Sequence, residues 1–90
     1  MDQEILDSLD KDNMLSILVF LKNNRPAIKT EIYSKVSRNS TLGSKLDRLQ
    51  ELGLIKMYSS DTSVKIYVVL TDKGEKVVKL IEEMVDLIES

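Results

Sequence analysis

The chain has neither cysteine nor histidine among its 90 residues. The first absence excludes disulfides and thiolate metal sites. The second removes the usual general base at neutral pH and the commonest metal ligand. Long apolar runs are also missing. The longest, Ile17–Leu21 and Ile66–Leu70, fall far short of the roughly 20 residues a membrane-spanning helix needs. The opening Met1-Asp2-Gln3-Glu4 is acidic where a secretory signal is basic, so a cytoplasmic protein is expected. Proline occurs once, at Pro26, and there is no internal repeat, linker or low-complexity tract. The length suits one domain with a modest core. Acids such as Asp61 and the Glu82-Glu83 pair read as solvated, and no nucleophile–base constellation is visible. We therefore expect no enzyme activity, no cofactor and no metal.

Net charge is small, at −2, but the charges are unevenly placed. Residues 1–12 hold five acids and one base, and residues 71–90 hold six acids and three bases. Residues 13–70 hold nine bases against four acids. A basic middle between acidic ends suits a phosphate-binding surface in the middle.

Hydrophobic spacing gives the elements. Ile5, Leu6 and Leu9 allow a short helix or an arm in residues 1–12. Met14, Ile17, Leu18 and Leu21 recur at i, i+3, i+4 and i+7, which predicts a helix with Asp12 or Asn13 as cap and Asn23-Asn24-Arg25-Pro26 as stop. Residues 28–36 form a short second element, with Thr30 as N-cap and Ile32 and Val36 facing inward. After the polar Ser37-Arg38-Asn39-Ser40, a helix from about Thr41 to Leu52 buries Leu42, Leu46 and Leu49, with Asn39 or Ser40 as its cap. Gly53 stands where a left-handed C-cap residue is wanted. The period then changes to two. Ile55 and Met57, then Val64, Ile66, Val68 and Leu70, predict a hairpin around Ser59–Ser63. Thr71 caps a last helix from Asp72 to about Glu89. The expected fold is mainly α with a small β-hairpin (α+β), in the order helix, helix, helix, strand, strand, helix. Its divisions are an N-terminal arm or short helix (1–12), a core (13–71) and a C-terminal helix (72–90).

Two strings within this pattern are more specific. Leu46-Asp47-Arg48-Leu49-Gln50-Glu51-Leu52-Gly53-Leu54-Ile55 resembles the end of a winged-helix recognition helix, of the form Leu-x-x-Leu-x-x-x-Gly-Leu-Ile. Tyr67-Val68-Val69-Leu70-Thr71-Asp72-Lys73-Gly74 is similar to the Tyr-x-Leu-Thr-x-x-Gly segment that closes the wing, with one extra residue after the tyrosine relative to some versions. The resemblance covers roughly residues 13–90. It is closest to the small MarR-like and PadR-like regulators of bacteria and archaea.

The resemblance implies a winged helix-turn-helix that binds double-stranded DNA and regulates transcription. The third helix would enter the major groove, and the hairpin would lie on the minor groove or the adjacent backbone. With Leu42, Leu46 and Leu49 inward, the residues expected to face out are Ser40, Thr41, Ser44, Lys45 and Arg48. Gly43 permits close backbone approach. Arg48 suits a guanine edge or a phosphate, and Lys45 a phosphate. Arg25, Lys29, Lys35 and Arg38 flank the second helix and suit backbone contacts. Lys56 and Lys65 flank the hairpin, with Ser60, Thr62 and Ser63 at its tip. Tyr33, Tyr58 and Tyr67 are expected to be partly buried on the domain surface.

The last helix carries more apolar surface than one monomer requires. Val77, Ile81, Met84 and Ile88 follow 4-3-4 spacing, as in a coiled-coil seam, so a homodimer through this helix is expected. The other reading of the helix is as cover for its own core, together with Ile5, Leu6 and Leu9. An alternative function is a winged-helix protein-interaction module within a transcription or RNA-processing assembly, which the acidic overall balance favours.

Overall fold

Eight elements follow one another in the computed structural model, which describes residues 2–11, 13–36, 42–60 and 64–90. They are α1 (Gln3–Asp10), α2 (Met14–Asn23), β1 (Ala27–Ile28), α3 (Lys29–Lys35), α4 (Leu42–Glu51), β2 (Ile55–Ser59), β3 (Ile66–Leu70) and α5 (Asp72–Glu89). The N-terminal segment is thus helical. Asp2 caps α1 by accepting the backbone N–H groups of Glu4 and Ile5 at 2.9 and 3.1 Å.

The α2 stripe Met14, Ile17, Leu18 and Leu21 is buried, as its spacing requires. Its entry differs from expectation. Asn13 occupies the cap position with a left-handed φ of 67° and makes no side-chain cap bond. Asp12, the other candidate cap, lies outside the described residues.

Residues 28–36 are not one helical element. Ala27 and Ile28 pair antiparallel with Val68 and Tyr67, adding a strand to the expected hairpin and giving a sheet of order β1-β3-β2. The helix starts directly after that strand, so Ile28 takes the cap position and Thr30 lies inside α3. Ala27 is fully buried against the core, and pairing it there fixes the boundary. Ile32 is buried as expected and Val36 half-buried.

Leu42, Leu46 and Leu49 of α4 are buried. The proposed caps Asn39 and Ser40 lie outside the described residues. At its other end, Gly53 has φ 78°. The N–H of Gly53 reaches the Gln50 carbonyl, and the N–H of Leu54 the Leu49 carbonyl, both at 3.0 Å. This is a Schellman ending, and it turns the chain at once into β2.

In the hairpin, Ile55 and Met57 lie opposite Leu70 and Val68 on the inner face. Val64, expected to continue that series, is fully exposed and outside β3, and Ile66 is exposed. The ladder ends at Ser59 opposite Ile66, so Val64 stands past the last rung with no packed neighbour to cover it.

The two strings that carry the resemblance meet in space. The Thr71 N–H donates to the Leu54 carbonyl at 3.1 Å, and the Thr71 hydroxyl donates to the Gly53 carbonyl at 2.6 Å. The same hydroxyl accepts the N–H of Gly74 at 3.0 Å, capping α5. A Cβ on Gly74 would stand 2.0 Å from the Leu54 oxygen, so the crossing admits only glycine. Along α5, Val78 joins the core and Val77 and Ile81 pack at its edge. The distal turns leave Leu80, Met84, Val85, Leu87 and Ile88 exposed. Among the described residues, no helix is long and apolar enough to cross a membrane.

Candidate nucleic-acid interface

With its leucine stripe packed inward, α4 presents Ser44, Asp47, Gln50 and Glu51 as its exposed residues. Gly43 is half-buried, and a Cβ built on it would meet nothing within 4 Å. Gln50 ties the end of the helix to the hairpin, its side-chain oxygen accepting the Met57 N–H at 2.9 Å. The helix and the first wing strand are thereby held together.

Two expected groove-facing bases lie elsewhere. Lys45 is not on the outward face. It is buried, with 7% of its surface exposed, and its Nζ has no hydrogen-bond partner among the described residues. Arg48 is half-buried and already engaged. Its Nε donates to Ser8 Oγ at 2.9 Å, and its Nη1 to Glu51 at 3.2 Å. Glu4 stands 3.9 Å from its Nη2. For Arg48 the reason is its contact with Ser8 and Glu4 of α1. Burial was assigned from the leucine stripe alone, which takes no account of a second helix packing beside it.

The remaining expected residues are dispersed. Arg25 is ion-paired with Glu75 of α5, and Lys22 with Glu82 at 2.6 Å. Lys29 is half-buried, whereas Lys35, Lys56, Ser60 and Lys65 are exposed. Lys56 lies opposite Val69 on the outer face of the sheet. Arg38, Ser40, Thr41, Thr62 and Ser63 lie outside the described residues. Sequence reasoning missed Glu4 and Ser8 as partners of Arg48. Their i, i+4 spacing puts them on one face of α1, but nothing in the sequence indicates which element that face meets.

Tyr58 and Tyr67 stack across the sheet on its outer face, with ring centroids 5.5 Å apart. Tyr67 is half-buried, and Tyr58 and Tyr33 are exposed. Between α2 and the distal half of α5 runs an open groove of about 650 Å³, lined by Leu15, Val19, Phe20, Ile81, Met84 and Val85 among others. Of the expected seam, Val77 and Ile81 are half-buried against their own core, while Met84 and Ile88 are exposed.

No family model and no curated protein matches the chain. Solved structures do. AF1382 from Archaeoglobus fulgidus superposes with a TM-score of 0.78 at 22% identity, over 94% of this chain and 97% of that one. MepR of S. aureus gives 0.81 at 21% identity, over 98% of this chain and 66% of MepR. FabT of Streptococcus pneumoniae, solved in complex with DNA, gives 0.74 at 15% identity, over 84% of this chain and 55% of FabT. The chain thus matches the archaeal protein end to end but spans about half to two thirds of the other two. Its three-stranded sheet, the α2–α3–α4 succession and the hairpin are those of the winged helix-turn-helix fold seen in MarR-like regulators.

Proposed function

We propose that the chain binds double-stranded DNA as a homodimeric transcription regulator, with α4 toward the major groove and the β2–β3 hairpin on the adjacent backbone or minor groove. The observation that carries this reading is structural. A glycine-terminated α4 is held to the wing by Gln50 and Met57 in a fold that superposes on FabT, a protein solved on DNA. In this orientation Ser44 is the described α4 side chain suited to a base edge, and Lys35, Lys56 and Lys65 suit phosphates. Arg38, Ser40 and Thr41 are proposed to complete the interface at the start of α4. The exposed end of α5, with Met84 and Ile88, is proposed as the seam between protomers, which would set two α4 helices about one DNA turn apart.

A second reading has an observation of its own. Asp47 and Glu51 are exposed on α4 and the described bases beside them are withdrawn, which suits a protein partner with a basic surface. Fluorescence anisotropy with a random duplex at low and moderate salt separates the two. DNA binding is expected to weaken as salt rises, with a log–log slope of about −0.9 per phosphate contacted. No binding at low salt by the folded chain would leave the protein-interaction reading.

A further inference from the structure

We propose that α1 is a displaceable acidic clamp on α4, which withholds Arg48 until phosphate competes for it. The proposal rests on the duplex-binding reading above. Helix α1 carries Glu4, Asp7 and Asp10 and no base, so its field attracts cations. Its polar contacts with α4 fall on that helix's one arginine. Arg48 is held by the buried Ser8 hydroxyl at 2.9 Å and faces Glu4 at 3.9 Å.

Three features make this contact releasable. First, Ser8 offers Arg48 only a neutral oxygen. Second, its charged partners are screened by solvent: Glu4 at 3.9 Å is 86% exposed, and Glu51 of α4 itself, at 3.2 Å, is 67% exposed. A phosphodiester gives the guanidinium two charged oxygens in bidentate geometry. Third, α1 is only eight residues long, with Ile5 exposed and Leu6 and Leu9 half-buried. A helix this short does not persist alone, and its shallow apolar contacts hold it in place. The left-handed Asn13 lies at its junction with α2.

The test is duplex binding by anisotropy for wild type, Glu4→Gln, Glu4→Gln/Ser8→Ala and Asp10→Asn, with helicity checked by circular dichroism. Glu4 is exposed, so Glu4→Gln leaves the core intact. Asp10→Asn removes the same charge from an exposed position with no hydrogen bond or ion pair to Arg48. The clamp requires the double variant to bind about three- to tenfold tighter than wild type, the scale of one charge-assisted contact. Its salt dependence should steepen by about 0.9 per phosphate gained. Asp10→Asn should give less than half of that gain, and adding Arg48→Ala should abolish it. An equal gain in Asp10→Asn overturns the clamp, because bulk charge then explains the effect. If wild type binds duplex and the Glu4 and Ser8 variants bind no tighter, the clamp fails and the duplex reading stands. If no variant binds, both fall.

Discussion

At the scale of single residues, a few atoms decide whether the winged-helix crossing forms. Gly74 has no room for a methyl group, because the Leu54 carbonyl oxygen would stand 2.0 Å from it. Gly74→Ala is expected to cost about 3 kcal/mol, at the upper end for overpacking a rigid site, read as a lower urea midpoint at unchanged slope. A loss below about 1 kcal/mol would mean that the crossing yields easily. Lys45 gives the opposite sign. Replacing a buried amine that has no hydrogen-bond partner among the described residues by an apolar chain of similar length removes a desolvation cost, so Lys45→Met is expected to raise stability by about 1 kcal/mol or more. A destabilised Lys45→Met would show that the ammonium has a partner in solution. The two residues differ in how readable they were. Gly74 was visible as part of a motif, though the reason for it, a backbone oxygen 20 positions earlier in the chain, was not. Lys45 was misread, because helical periodicity tells which side chains share a face but not what covers that face.

At the scale of elements, local patterns held where local physics decides. The leucine stripes of α2 and α4, the Gly53 ending and the Thr71 cap were legible because each is set within one or two turns of chain. β1 was not, since two residues pairing with Tyr67 and Val68 leave no periodic trace. The docking of α1 on α4 was not legible either, as it joins Ser8 to Arg48 across the fold. α5 showed both of its faces in the sequence. Val77, Val78 and Ile81 cover the core, and the last two turns leave Met84, Leu87 and Ile88 to solvent. At 18 residues, about 27 Å long, the helix outreaches the domain it caps. Sedimentation velocity is expected to show a dimer, and Met84→Glu/Ile88→Glu to shift it to a monomer of unchanged helicity. A wild-type chain that remains monomeric at high concentration would remove α5 as the seam.

Across the whole molecule, folding rearranges the charge pattern that the sequence displays. The basic middle and acidic ends are separate along the chain but interleave in space. α5 acids neutralise Lys22 and Arg25, and Glu4 of α1 faces Arg48. Among the described residues the cationic surface of the basic middle is narrower than the sequence suggests, with Lys35 and Lys56 exposed on it. Duplex binding by this chain is therefore expected to be weak at physiological salt and steeply improved at low salt. The most direct measurement is an amide-resolved NMR titration of the labelled chain with a short random duplex at low salt. The largest shifts are expected at Ser44 and Asp47 of α4 and at Lys56 in the hairpin, with the α5 tail unmoved. Shifts confined to the α2–α5 groove, or no shifts at all, would contradict a DNA-binding face built on α4 and the wing.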